Sequence, residues 1–314
     1  MNARALAVLV LCPLAAAQVE LEVRIAGALG ASIADALRSD LGAQATVAVV
    51  SPSAQLRAGI VAVGFDCDPM RGSAATSVPL PWVVRYALVA RSEVPPAAEA
   101  GLDALALQPM LQDRLAVCAP DVDPGPWLLG MAEALARGQE ENGGYGLWTA
   151  LDARVASYPA DAAAAMDAVR SGSALATLLP RPVLASLGVP GDCRVAAIGT
   201  VDALGLGVVV VPPAGSAAAE VVRRLAAIGR DSALAAICSP REQASAATLA
   251  SEDVSRWLEH YDARIRGNGR KVERVADVLD TVFTVLFFGI LAAFWWRHRR
   301  HAAAASGDEP PPSG

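Results

Sequence analysis

Apolar residues fall along this chain in two alternating rhythms. Short continuous runs ("VELEVRIAG", "ATVAVV", "IVAVGF", "RYALVARS", "RLAVCAPD", "VASY", "ALATLL", "RVAAIG" and "LGLGVVVVPP") read as strands. Between them lie stretches with apolar positions at helical spacing: "ASIADALRSDLG", "SPSAQLRAG", the segment after Pro126, "PADAAAAMDAVRSG", "PRPVLASLG" and "SAAAEVVRRLAAIGRDSALAAIC". Strand and helix alternating from Val19 to about Ser239 predict an α/β fold with largely parallel sheets. That length is more natural in two lobes than on one sheet.

The two ends follow a different pattern. Met1-Asn2-Ala3-Arg4, the apolar run Ala5–Leu14 and the small residues Ala15-Ala16-Ala17 form a secretory signal, with cleavage expected after Ala17. Cys12 is not read as a lipid-attachment site, because Leu11 stands where a small residue is needed and Pro13 follows. Val278–Trp296 is long and apolar enough to span a bilayer. It closes on Trp295-Trp296 and the basic run Arg297-His298-Arg299-Arg300-His301. Asp280 near its start is tolerable at headgroup level. Positive-inside logic puts residues 297–314 in the cytoplasm as a disordered tail and everything before Val278 outside. This predicts a single-pass protein of the cytoplasmic membrane, held in the lipid bilayer by its C-terminal helix. The charged stretch 251–277, with "SRWLEHYDARIR", is expected to be a solvated helical stalk.

Composition narrows the chemistry. The 314 residues are 54% hydrophobic and 18% charged, with a formal charge of -6, which argues against a nucleic-acid partner. Cys67, Cys118, Cys193 and Cys238 permit two disulfides in an exported chain, but their spacing does not give the pairing, and no CxxC occurs. The three histidines are His260, His298 and His301, so the exported α/β part has none. Ser-His-Asp catalysis, Cys-His catalysis and histidine metal sites are thereby removed from it. The acid pairs Asp66/Asp68, Asp121/Asp123 and Glu140/Glu141 lie beside turn residues and read as loop acids and caps. There is no GxGxxG and no P-loop. Tyr86, Tyr145 and Tyr158 are too scattered in sequence to read as an iron site. The expectation is a protein that is not an enzyme and needs no cofactor.

Several helix starts follow strands and carry small or hydroxyl residues. Ser32 is expected to open the first helix, Ser51 and Ser53 the second, Gly125-Pro126 the helix of "APDVDPGPWLLGMAEAL", and Tyr158-Pro159-Ala160 the next. Each is an ordinary N-cap by itself. Converging on one cleft, they would hold a small anion through hydroxyls and backbone N–H groups.

At this point the sequence resembles a family, the type II periplasmic solute-binding proteins, and within it the molybdate/tungstate-binding branch. "GASIADAL" is similar to the family's first serine helix start, and "SPSAQLRAGI" to its second serine turn. "PWVVRYALVARSE" looks like its crossing strand. "LAVCAPDVDPGPWLLGMAEAL" with "GYGLWTAL" resembles its Asp-Pro-x-x-x-Pro-x-Gly helix and the Gly-Leu-Trp that ends it. "AMDAVRSGSALATLL" and "LGVVVVPPAGSAAAEVVRRLAAI" are similar to its Val-x-x-Gly-x-Ala segment and its return strand and helix. The resemblance implies a two-lobed binding protein for a small anionic ligand, working with an ABC permease. It assigns ligand hydroxyls to Ser32 and to Ser53 or Ser51, and backbone N–H groups to the turns at Pro124–Trp127 (site residues Pro126 and Trp127) and Tyr158–Ala160. The family's ligand tyrosine falls near Leu179-Pro180, where it is missing, and Arg181 beside it either replaces it or faces solvent. The layout implied is a signal peptide at 1–17, lobe 1 at 18–84 and 205–250, lobe 2 at 85–204, the stalk at 251–277, the span at 278–296 and the tail at 297–314. A sensor or adaptor domain with altered or lost ligand binding is the alternative reading.

Overall fold

The computed structural model describes residues 18–51, 55–66, 76–120, 122–136, 145–199, 201–241, 246–247, 254 and 268–305. The signal segment, Ser53, Cys67, most of the expected stalk and the end of the tail lie outside them.

Two sheets share one strand. In lobe 1, β1 (Val19–Val23) lies between β2 (Ala45–Val49) and β3 (Val61–Phe65), parallel to both. Strand β4 (Thr76–Arg91) is unusually long, and its first half pairs antiparallel with β9 (Ala203–Val210), which also pairs antiparallel with β3. In lobe 2 the second half of β4 pairs antiparallel with β7 (Ala176–Pro180); β5 (Leu115–Ala116) runs parallel to β7, and β6 (Val155–Ser157) runs parallel to β5. The edge strand β8 (Cys193–Ala196) also pairs with β4 in lobe 2, while β10 (Ser239–Pro240) pairs with β4 and β11 (Ala246–Ala247) with β9 in lobe 1.

β4 crosses between the lobes at Arg85 and Tyr86. Pairing with β9 ends at Arg85, opposite Ala203, and pairing with β7 begins at Tyr86, opposite Pro180. The register slips between Pro79 and Val83. Pro79 and Pro81 have no N–H to donate, so the ladder is interrupted there and the strand is freed to bend. The return chain runs alongside, with the Tyr86 N–H donating to the Asp202 carbonyl at 2.7 Å and the Arg85 guanidinium 3.8 Å from the Asp202 carboxylate.

The helices close both sheets. α1 (Gly27–Leu41) buries Leu29, Ile33, Leu37 and Leu41, and α7 (Ser216–Ala226) buries Ala218, Val221 and Leu225. All five residues of β3 and of β7 are buried, as strands covered on both faces require. Between β4 and β9 lie α2 (Leu102–Ala106), α3 (Gly125–Ala136), α4 (Tyr145–Arg154), α5 (Ala162–Ser171) and α6 (Arg181–Leu187). α5 was legible as a helix, but it opens at Ala162 rather than at Tyr158-Pro159-Ala160. Asp161 accepts the Ala164 N–H at 2.8 Å, and Gly172 ends the helix at φ 78°, the left-handed conformation glycine adopts at low cost.

Two expectations need correction, and one open question, the cysteine pairing, is answered for the described residues. The stretch "SPSAQLRAG" is not helical in its described part. Gln55–Arg57 forms no regular element and a turn follows at Gly59, where φ is 80°. Arg57 reaches across to Glu20 and to the buried Glu22, which also pairs with the buried Arg24 at 2.9 Å. Those ion pairs with β1 hold the loop out of a helix. Cys118, Cys193 and Cys238 are free thiols, so no disulfide joins the described cysteines. Val254, inside the expected solvated stalk, is fully buried in the main core.

The C-terminal helix α8 (Asn268–Ala305) contains a segment, Val278–His298, long and apolar enough to cross a membrane, with none of it buried.

Candidate functional site

Helix starts from both lobes face one another across the gap beside the crossing strand. From lobe 1 comes α1. Its N-cap is Ala26, which has no side-chain oxygen to offer, and Gly27 opens the helix at φ 65°. The first N–H groups of α1 therefore have no side-chain cap. From lobe 2 come the turn before α3, the start of α5 and the junction of β7 with α6.

These elements enclose a recess of about 30 Å³. Residues Ile25–Leu29 line it from lobe 1, and Cys118, Val122, Asp123, Pro124, Asp161, Ala162, Pro180 and Val183 from lobe 2. It adjoins a wider mouth of about 310 Å³ lined by Ala26, Gly27, Val49, Val50, Ser51, Val122 and Ala160. The recess has room for about one water molecule, and the mouth suits a small ligand.

The residues expected to form the site divide into two groups. Ser51 and Ala160 meet at the mouth, one from each lobe. Ser32 does not open α1, which starts at Gly27; its hydroxyl donates back to the Ala28 carbonyl at 2.9 Å. Pro126 and Trp127 are buried in the first turn of α3, where the Trp127 indole N–H donates to the Cys118 carbonyl at 2.8 Å. Tyr158 turns its hydroxyl to the buried Asp152, inside lobe 2. Arg181 opens α6 and is exposed beside Pro180, but it lines neither cavity. Ser53 lies outside the described residues.

Sequence reasoning undervalued the acids. Asp123 accepts the Gly125 N–H at 2.9 Å and the Tyr86 hydroxyl at 2.8 Å. Gly125 is required there, since a Cβ would lie 1.9 Å from the Tyr86 hydroxyl oxygen. Asp161 caps α5. Both carboxylates line the recess, so lobe 2 presents two helix starts already served by its own acids. The signal was available locally for Asp161, three residues before the N–H it caps. For Asp123 it was not, because Tyr86 comes from a distant strand.

The electrostatics are mixed. α1 presents an uncapped N-terminus, which favours an anion, while two carboxylates oppose it. Among the described residues no Lys or Arg lines either cavity, and no three His, Cys, Asp or Glu side chains group as metal ligands. Burial pushes the Asp123 carboxyl above its usual range, against the hydrogen bonds from Gly125 and Tyr86 that pull it down. Burial, reinforced by Asp123 and Asp161, pushes the Cys118 thiol up to about 12, so it stays protonated and unreactive.

The raised carboxyl sets a pH dependence. The folded state holds the Asp123 proton more tightly than the unfolded chain does. Its stabilising effect is complete below the ordinary carboxylate range, near pH 4, and is lost as pH rises through the folded value. Asp123→Asn keeps an oxygen acceptor for Gly125 and Tyr86 and never ionises. The variant should melt above the parent at pH 7, with the difference shrinking toward pH 4 in paired melting curves. A variant less stable at pH 7 than at pH 4, relative to the parent, would show that the ionised carboxylate is the favoured form.

No protein-family model matches the chain, and no curated protein matches it in sequence. Solved structures do match its fold. The periplasmic binding protein P5PA superposes with a TM-score of 0.54 at 10% identity, covering 79% of this chain and 99% of its own. Iron-bound HitA from Pseudomonas aeruginosa gives 0.53 at 16%, covering 77% and 98%. AfuA from Actinobacillus pleuropneumoniae, with fructose-6-phosphate, gives 0.52 at 9%, covering 79% and 98%. The chain has the two-lobed α/β fold of periplasmic binding proteins.

Proposed function

We propose that this chain is a solute-binding protein that works outside the cytoplasm, tethered by its C-terminal helix, and closes its two lobes on a small oxyanion for an ABC permease. The observation that carries this reading is the uncapped N-terminus of α1, facing lobe 2 across a cleft beside the crossing strand. Hinge closure about Arg85-Tyr86 and the return at Asp202 would be the working motion. The helix Val278–His298, followed by arginines, supports a membrane anchor with the lobes outside and the tail inside.

Asp123 and Asp161 refine the ligand class. A carboxylate can accept a hydrogen bond from a ligand but cannot donate one to it while ionised. A ligand that satisfies both walls brings acceptor oxygens to α1 and at least one O–H to the acids. Hydrogen phosphate, phosphate monoesters and hydroxy acids have that character; phosphate monoesters keep their second proton up to about pH 6. Fully ionised molybdate, tungstate and sulfate do not, and they serve as the contrast.

The test is a set of melting curves on the full chain in detergent with phosphate, glycerol phosphate, citrate, sulfate, molybdate and tungstate. Ligand at about a hundred times its dissociation constant should stabilise by roughly 2.7 kcal/mol, a rise of roughly 5–10 °C for a chain of this size. A rise with a proton-bearing anion, lost in Ser51→Ala or Asp161→Ala, supports the reading. A rise with sulfate or molybdate alone would overturn the role given to the acids. A flat response puts the sensor or adaptor reading first, which the small recess, already flanked by two carboxylates, also favours.

A further inference from the structure

The basic run after the membrane helix has no role in the cleft, and its surroundings point to a specific partner. The helical backbone does not stop at the end of the apolar segment; it continues from His298 through Ala305. At 1.5 Å per residue those eight residues carry the helix about 12 Å further, enough to pass through a headgroup layer. Within them and the residue before, Arg297-His298-Arg299-Arg300-His301 concentrates three arginines and two histidines. Between Thr281 and Gly307 the sequence has no Asp or Glu, so the run has no acidic partner within reach along its own helix. Arg297 and His298 are exposed, and Trp295 and Trp296, the aromatic residues suited to a membrane interface, are 60% and 56% exposed just before them.

We infer that the segment Arg297–His301 binds the phosphate groups of anionic phospholipids in the leaflet where the membrane helix ends. Arginine suits this task, because its planar fork matches a phosphate oxygen pair and its charge does not titrate away. Zwitterionic lipids carry the same phosphate but bring their own ammonium group, which competes with the guanidinium. Phosphatidylglycerol carries no such competitor, and a basic residue close to an anionic lipid surface gains about fivefold in association. The inference rests on the reading that Val278–His298 spans a bilayer, and it holds whichever side of the membrane the run occupies.

The full chain would be reconstituted in bilayers of equal phosphatidylcholine and phosphatidylglycerol. After mild detergent extraction, the lipids it retains would be counted by native mass spectrometry. Phosphatidylglycerol should exceed phosphatidylcholine by at least about tenfold. The ratio should fall to near one in the combined variant Arg297→Gln, Arg299→Gln, Arg300→Gln, and persist in part when the same three positions are lysine. An even ratio in the parent, or an unchanged ratio in the glutamine variant, overturns the inference. Inorganic phosphate should displace no more lipid than chloride at equal ionic strength; greater displacement would identify a free-phosphate site instead and would also overturn it. Alkaline carbonate extraction separates the two claims. A chain washed off the membrane loses the span reading itself, whereas a retained chain without lipid preference loses only this inference.

Discussion

Trp127→Ala is expected to lower the stability of the folded chain by about 4 kcal/mol, within the range for truncating a buried tryptophan. Trp127 is completely buried and stands edge-on to Trp148, with ring centroids 5.7 Å apart and planes at 76°. Its indole N–H satisfies the Cys118 carbonyl two residues past β5, and its own carbonyl accepts the Trp148 indole N–H at 3.2 Å. Truncation removes the ring contact, leaves a cavity and strips a partner from the Cys118 carbonyl, three losses at one position. The melting point should fall by roughly 8–16 °C, with a matching drop in the urea midpoint. Trp127→Phe keeps most of the volume and should cost about half as much. A loss under about 1 kcal/mol would mean that the ring is not in the core and is free to enter the cleft.

Gly30→Ala should show the reverse of the usual helix rule. Alanine normally stabilises a helix interior over glycine by about 1 kcal/mol. Here the new Cβ would lie 1.7 Å from the Ile25 carbonyl oxygen and 2.7 Å from its carbon, both backbone atoms that cannot rotate aside. Helix α1 would have to lift away from the end of β1, at a cost of roughly 3 kcal/mol, near the upper end for overpacking. The melting point should fall by roughly 6–12 °C. Because Ile25–Leu29 form the lobe 1 wall of the recess, ligand-induced stabilisation should vanish along with it. At Gly289, where nothing lies within 4 Å of the added atom, alanine should be tolerated. A neutral or stabilising Gly30→Ala would disprove the close seat of α1 on Ile25 and the cleft wall built on it.

These two positions also mark where the sequence could be read and where it could not. The stretch "GALGAS" was legible as a strand-to-helix junction. Its helix was placed five residues late, however, because Ser32 looks like a cap while Ala26 does not. The structure starts α1 at Gly27, since the close approach at Gly30 and the positive φ at Gly27 decide the geometry without a hydroxyl. Trp127 was legible as the start of an apolar helix, but its partner Trp148 stands 21 residues away and no periodicity connects them.

The sequence by itself determined the strand–helix alternation and the membrane-length helix. Each depends on residues within a few positions of one another, where spacing along the chain is spacing in space. Only the tertiary structure decided that Gln55–Arg57 stays out of a helix and that Asp123 sits in the cleft wall. Arg57 answers to Glu20 and Glu22, and Asp123 to Tyr86, across 35 to 37 residues of sequence. A carboxylate's burial, hydrogen bonds and protonation are set by whatever the fold brings to it, and that information is carried by no local pattern.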